Sequence, residues 1–114
     1  MNETMSTYEA SDLSGYSTQT LKNYQGHFTP PEIDERGYPR FITELFLEEL
    51  LIYWTTLHPR LRRRKLRKLL DTLATPRWLG VISPADVLHI ARHHHLRWVV
   101  LLMSDWGEDP RAAA

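Results

Sequence analysis

Residues 11–41 constrain this chain more than any other stretch. Ser14-Gly15 interrupts a polar segment, and Gly takes the left-handed conformation that closes a helix at low cost. A short first helix is therefore expected over Tyr8 to Leu13, capped by Ser6 or Thr7. Ser17 is a good N-cap for a second helix, Thr18 to Gln25, closed by Gly26. Leu21 and Tyr24, three apart, share its buried face with Thr20 beside them, while Gln19, Lys22 and Asn23 point outward. Thr29-Pro30-Pro31 cannot be helical throughout and reads as an extended connector. Asp34-Glu35-Arg36-Gly37 is a turn signal between Ile33 on one side and Tyr38 and Phe41 on the other, which predicts a two-stranded hairpin.

The rest of the chain reads as helices. Residues 1–7 are polar and expected to fray. Thr43 is a fair N-cap with Glu44 in the first turn, and Leu47, Leu50, Leu51, Trp54 and Leu57 form a stripe at helical spacing. His58-Pro59 breaks that pattern. From Arg60 to Leu73, Leu66, Leu69, Leu70 and Leu73 make one face and the basic residues lie largely off it. Thr75-Pro76 and Gly80 mark a loop. Ser83-Pro84-Ala85-Asp86 is a strong helix start: a serine cap, proline at the first position, an acid in the first turn. No breaker follows before Asp105. One long helix fits, and so does a helix ending near His94 followed by a strand over 97–103; periodicity leaves both open.

Length and composition exclude several classes. With 114 residues the chain supports one domain and one modest core. The absence of cysteine removes disulfides, zinc–thiolate sites and thiol catalysis. No apolar run approaches the roughly 20 residues that span a bilayer, and the first residues lack the basic-then-apolar layout of a secretion signal. A soluble, cytoplasmic protein with no membrane partner is expected. The net charge of zero conceals a split. Residues 1–57 carry three basic and nine acidic groups, a balance of −6, and residues 58–114 carry eleven and five, a balance of +6. The second half therefore has the electrostatics of a polyanion-facing surface.

Helix, tight turn, helix and hairpin, in that order, make a helix-turn-helix followed by a wing. Ser14-Gly15-Tyr16-Ser17-Thr18-Gln19-Thr20-Leu21-Lys22-Asn23-Tyr24-Gln25 resembles the MerR family of bacterial regulators and its small winged-helix relatives, including phage excisionases. The family pattern there is roughly T-G-V-S-x-R-T-L-R-Y-Y-E. Gly26 through Phe41 resembles the family's wing, with Pro30 and Gly37-Tyr38 in place, and residues 43–50 look like the helix that follows it. Gln19 and Lys22 stand where the family usually has Arg. The resemblance covers about residues 6–57. It implies a mainly α fold, a winged helix-turn-helix with a small β-hairpin wing and additional C-terminal helices. Residues 1–57 would form the winged unit, and 58–114 a basic helix with an apolar dimerisation region, packed as one compact unit. It also implies a double-stranded DNA partner. Ser17 would cap the second helix, Thr18, Gln19, Lys22 and Asn23 would face the major groove, and Arg36, Tyr38 and Arg40 would be wing contacts.

Seven cations crowd residues 60–68, and Arg62, Arg63, Arg67 and Lys68 are candidate phosphate contacts. A solvated helix face and a docking surface for an acidic partner are the alternatives. His89 and His93, four apart with Asp86 nearby, have metal-seating spacing. The His-Glu-x-x-His pattern is absent and no further ligand source is evident, so neither metal nor cofactor is expected. The stretch Trp98 to Met103 is apolar on all sides, which points to a homodimer through Trp98, Leu101 and Leu102. No nucleophile–base pair, phosphate loop or paired acid in a catalytic spacing appears, so no enzyme is expected. Two functions remain open. One is a sequence-specific DNA-binding transcriptional regulator of bacterial or phage type. The other is a protein-interaction adaptor, or an architectural, excisionase-like factor, on the same scaffold.

Overall fold

A computed structural model describes residues 4–23 and 26–107, which form six helices and three short strands. The chain is mainly helical, with a small antiparallel sheet in the order β1-β3-β2. Among the described residues no helix is long and apolar enough to cross a membrane.

The first element differs from expectation. Thr4–Ser6 does not fray; it is strand β1, paired antiparallel to β3 (Pro39–Ile42) with Met5 opposite Phe41. Met5 points into the core between two half-buried neighbours, the alternation of a half-buried strand. The chain then turns into α1 (Thr7–Ser14). Ser6 and Glu9 form a reciprocal capping box at its start, and Gly15 closes it at φ +77°. Helix α2 (Thr18–Asn23) follows; the expected extension to Gln25 and the burial of Tyr24 lie outside the described residues. Strand β2 (Glu32–Ile33) pairs with β3 to form the hairpin.

Strand β3 runs straight into α3 (Thr43–Thr55). Ile42, not Thr43, therefore occupies the cap position, without a side-chain hydrogen bond, and Thr43 is buried as the first helical residue. Four of the five residues of the predicted stripe, Leu47, Leu50, Leu51 and Trp54, are fully buried at the centre of the core; Leu57 lies past the end of α3 and is partly buried. Helix α4 (Pro59–Leu73) begins one residue earlier than expected, because Pro59 suits the first helical position and His58 Nδ1 accepts from the Arg60 amide. Its Leu66, Leu69, Leu70 and Leu73 face inward. One core cluster joins Met5 and Leu13 from the first half to Val99 and Met103 from the second.

The C-terminal run is neither one long helix nor helix and strand. It is α5 (Pro84–His93) and α6 (Arg97–Asp105), packed against each other. The break is a left-handed turn at His95, φ +56°, the one non-glycine residue with positive φ among those described. The Leu96 amide bonds to the Ala91 carbonyl at 2.7 Å and the His95 amide to that of Arg92 at 3.2 Å. These are the paired bonds of a Schellman helix end, and buried Leu96 supplies its apolar contact. A residue with a Cβ in this conformation is strained by about 1–2 kcal/mol. Glycine relieves that strain but restrains the unfolded chain less. His95→Gly is therefore expected to stabilise the protein by about 0.5–1 kcal/mol, read as a higher urea midpoint with an unchanged slope.

Candidate nucleic-acid interface

The turn between α1 and α2 is held by its own side chains. The Gly15 amide bonds to the Ser11 carbonyl at 3.0 Å, and the Ser11 hydroxyl donates to the Tyr16 carbonyl at 2.6 Å. Ser17 caps α2 as its position predicts, its Oγ accepting the Thr20 amide at 3.1 Å. Leu21 buries the inner face of the helix. Gln19, Lys22 and Asn23 are exposed, with the Gln19 amide donating to Asn23 Oδ1 at 3.5 Å.

The hairpin tip is a three-residue loop with glycine in the left-handed position. Gly37 has φ +83°, and the Asp34 amide bonds to the Tyr38 carbonyl at 2.9 Å. Asp34 Oδ1 accepts both the Arg36 and the Tyr38 amides, each at 2.9 Å. The Asp34 carboxylate thus serves the turn, and Arg36 projects from a tip fixed by three short bonds.

Helix α2, the start of α1 and the hairpin enclose an open groove of about 970 Å³. Thr18, Lys22, Arg36, Tyr38 and Arg40 all line it. Ser17, Gln19 and Asn23 do not. Arg40 is less available than its sequence position suggests. Its Nη2 donates to the Thr4 carbonyl at 3.2 Å, its Nε to Thr4 Oγ1 at 3.3 Å, and its Nη1 lies 3.9 Å from Glu9. It braces β1 against β3. Among the lining residues outside the predicted set are Tyr8, 77% exposed, Ile33, 65%, and the acidic Glu35. Tyr8 could have been flagged only with β1 known, because that strand turns the start of α1 toward the hairpin.

The basic residues of α4 divide. Arg63, Arg67 and Lys68 line a second groove of about 660 Å³ with Arg60, Arg64, Asp71 and Trp106. Arg62 turns away: it donates to the Thr55 carbonyl at 3.2 Å, and its guanidinium lies 5.0 Å from the Trp98 ring centre. Of the candidate dimerisation residues, Leu101 is 55% exposed, whereas Trp98 and Leu102 are half-buried against the core. The Trp98 indole donates to Thr55 Oγ1 at 2.9 Å. His89 and His93 are exposed, and His94 Nε2 lies 3.6 Å from Glu48. Among the described residues no group of three His, Asp or Glu side chains is placed to hold a metal ion.

Replacing Asp34 by Ala removes the acceptor for two tip amides. Amide exchange at Arg36 and Tyr38 should accelerate about tenfold, the equivalent of 1–1.5 kcal/mol, with α3 amides unaffected. Unchanged exchange at both positions would mean that the side chain does not hold the tip. No protein family, no curated protein and no solved structure matches the chain.

Proposed function

We propose that the chain is a sequence-specific double-stranded DNA-binding regulator of the MerR-like winged helix-turn-helix type, acting as a homodimer. The observation that carries this reading is the shared groove of α2 and the hairpin, with Thr18 and Lys22 on one wall and Arg36 and Tyr38 on the other. In such an arrangement the second helix enters the major groove and the hairpin tip follows the adjacent backbone. Ser17 is occupied by the helix cap, so its part is to aim α2 rather than to touch a base. Thr18, Gln19 and Asn23 offer hydroxyl and amide groups for base edges, and Lys22 and Arg36 supply charge. Arg40 is a positioning residue for the hairpin.

The dimer reading is supported by Leu101, exposed beside a shallow groove of about 320 Å³ formed with Leu102, Trp98 and Pro59. A dimer would present two α2 helices to a two-fold-related site. One feature favours the adaptor reading instead. Tyr8, Ile33 and Tyr38 are large exposed side chains on the α2–hairpin groove, and Asp34 and Glu35 lie among them. A protein segment with apolar and basic residues fits that surface.

Fluorescence anisotropy with duplexes selected from a random pool separates the two. The wild-type chain should bind a selected duplex, and Lys22→Ala/Arg36→Ala should flatten the log–log salt slope by about 2, one unit per lost phosphate contact. Absence of binding to any duplex at low salt rules out the regulator and leaves the adaptor. For the assembly, Leu101→Asp should convert a dimer of this 13.4 kDa chain to monomer in sedimentation equilibrium. A wild-type protein already monomeric at the concentrations that bind DNA removes the homodimer from the reading.

A further inference from the structure

The α2–hairpin groove is poor in charge for a DNA-binding surface. Lys22, Arg36 and Arg40 line it against Asp34 and Glu35, and Arg40 is engaged with Thr4. The cations are elsewhere. On α4, Arg60, Arg63, Arg64, Arg67 and Lys68 line one groove, with Asp71 the single carboxylate lining it among the described residues. They recur every three or four positions, so they form rows along one helix face, spread over about 12 Å of axis at 1.5 Å per residue. Repulsion among so many like charges costs free energy unless an anion of matching length lies along them.

The groove is also built. Trp106, at the end of α6, lies under two of the guanidiniums, with Arg67 5.3 Å and Arg63 6.0 Å from its ring centre. Arg67 Nε also lies 3.5 Å from Asp71 Oδ1, one turn further along α4, so a phosphate there would share that guanidinium with the carboxylate. A guanidinium resting against a ring loses less freedom when a phosphate arrives. At the other side the face meets the α1–α2 turn. Lys65 Nζ lies 4.4 Å from the Tyr16 ring centre, and the Lys68 side chain lies against Gly15. The basic helix is thus adjacent to the N-terminal end of α2.

We infer that the outer face of α4, with Trp106 beneath it, is a phosphate-backbone site for duplex DNA, separate from the α2–hairpin groove and the main source of electrostatic affinity. The inference rests on the DNA-binding reading. The arginines grip the backbone without reading sequence, and the α2 groove discriminates among bases. A spaced row of arginines suits a regular string of phosphates, whose bidentate recognition by guanidinium is geometric as well as electrostatic.

The test uses the full-length chain, a random-sequence duplex and the duplex selected above, titrated with salt. Arg63→Gln/Arg67→Gln/Lys68→Gln should flatten the log–log slope by about 2–3 and weaken both duplexes by a similar factor. Arg60→Gln/Arg64→Gln leaves the residues stacked on Trp106 in place, so it keeps the test decisive if the triple variant misfolds. It should flatten the slope by about 2. Lys22→Ala/Arg36→Ala should instead reduce the ratio of selected to random affinity. Folded α4 variants with a wild-type slope overturn the assignment while leaving sequence-specific binding by α2 intact. Binding that depends on α4 but never distinguishes any duplex sustains the assignment and removes the sequence-specific regulator. An unchanged slope together with a change in the protein's own mass in solution means that α4 docks the acidic half of a second copy, which also overturns it.

Discussion

The Trp54 indole N–H donates to the Tyr16 hydroxyl at 2.9 Å, and much of the molecule is arranged around that bond. Trp54 is completely buried near the C-terminal end of α3, so its one polar atom needs a partner inside the protein. The partner comes from the turn between α1 and α2. Satisfying the indole therefore fixes where that turn lies on the core, and with it the start of α2. The other face of the relation is electrostatic, since Lys65 of α4 lies over the same tyrosine ring. One aromatic side chain thus ties α3 and α4 to the turn between α1 and α2. Trp78 adds a second tie of the same kind, donating to Asp12 of α1 at 2.5 Å. Two tryptophans distant in sequence hold the short N-terminal helices, which are too brief to be stable alone.

Local chemistry was the legible part of the fold. The Ser83 cap, the Ser17 cap, the leucine faces of α3 and α4 and the Asp34–Gly37 turn all rest on interactions within a few residues. Each could be read because the partners lie in one window. Strand β1 could not, because Met5 is a strand residue only by pairing with Phe41, thirty-six positions away. The α5–α6 break was illegible for another reason. Left-handed turns are signalled by glycine, and here histidine occupies the position, held by two backbone bonds and the burial of Leu96.

The candidate site divides in the same way. Spacing placed Lys22 on the outer face of α2 and Arg36 at the hairpin tip, but only the family resemblance brought them with Thr18 to one surface, because helix and hairpin meet through tertiary packing. Arg40 could not be assigned from spacing, since its partners Thr4 and Glu9 belong to elements brought beside it by the sheet. The cation cluster was obvious as a cluster, but its division was not. Arg62 turns to Trp98 while Arg63 and Arg67 turn to Trp106, because the two indoles flank α4 on different sides. The balance of −6 over residues 1–57 agrees with a groove where Asp34 and Glu35 stand beside Lys22, Arg36 and Arg40.

Arg60 and Arg63 line two depressions at once, the basic one over Trp106 and the apolar one beside Leu101. Whatever fills either depression meets the same two guanidiniums. If an occupant of one depression draws those side chains toward it, the free energy of occupying the other changes, and linkage would make that influence equal in both directions.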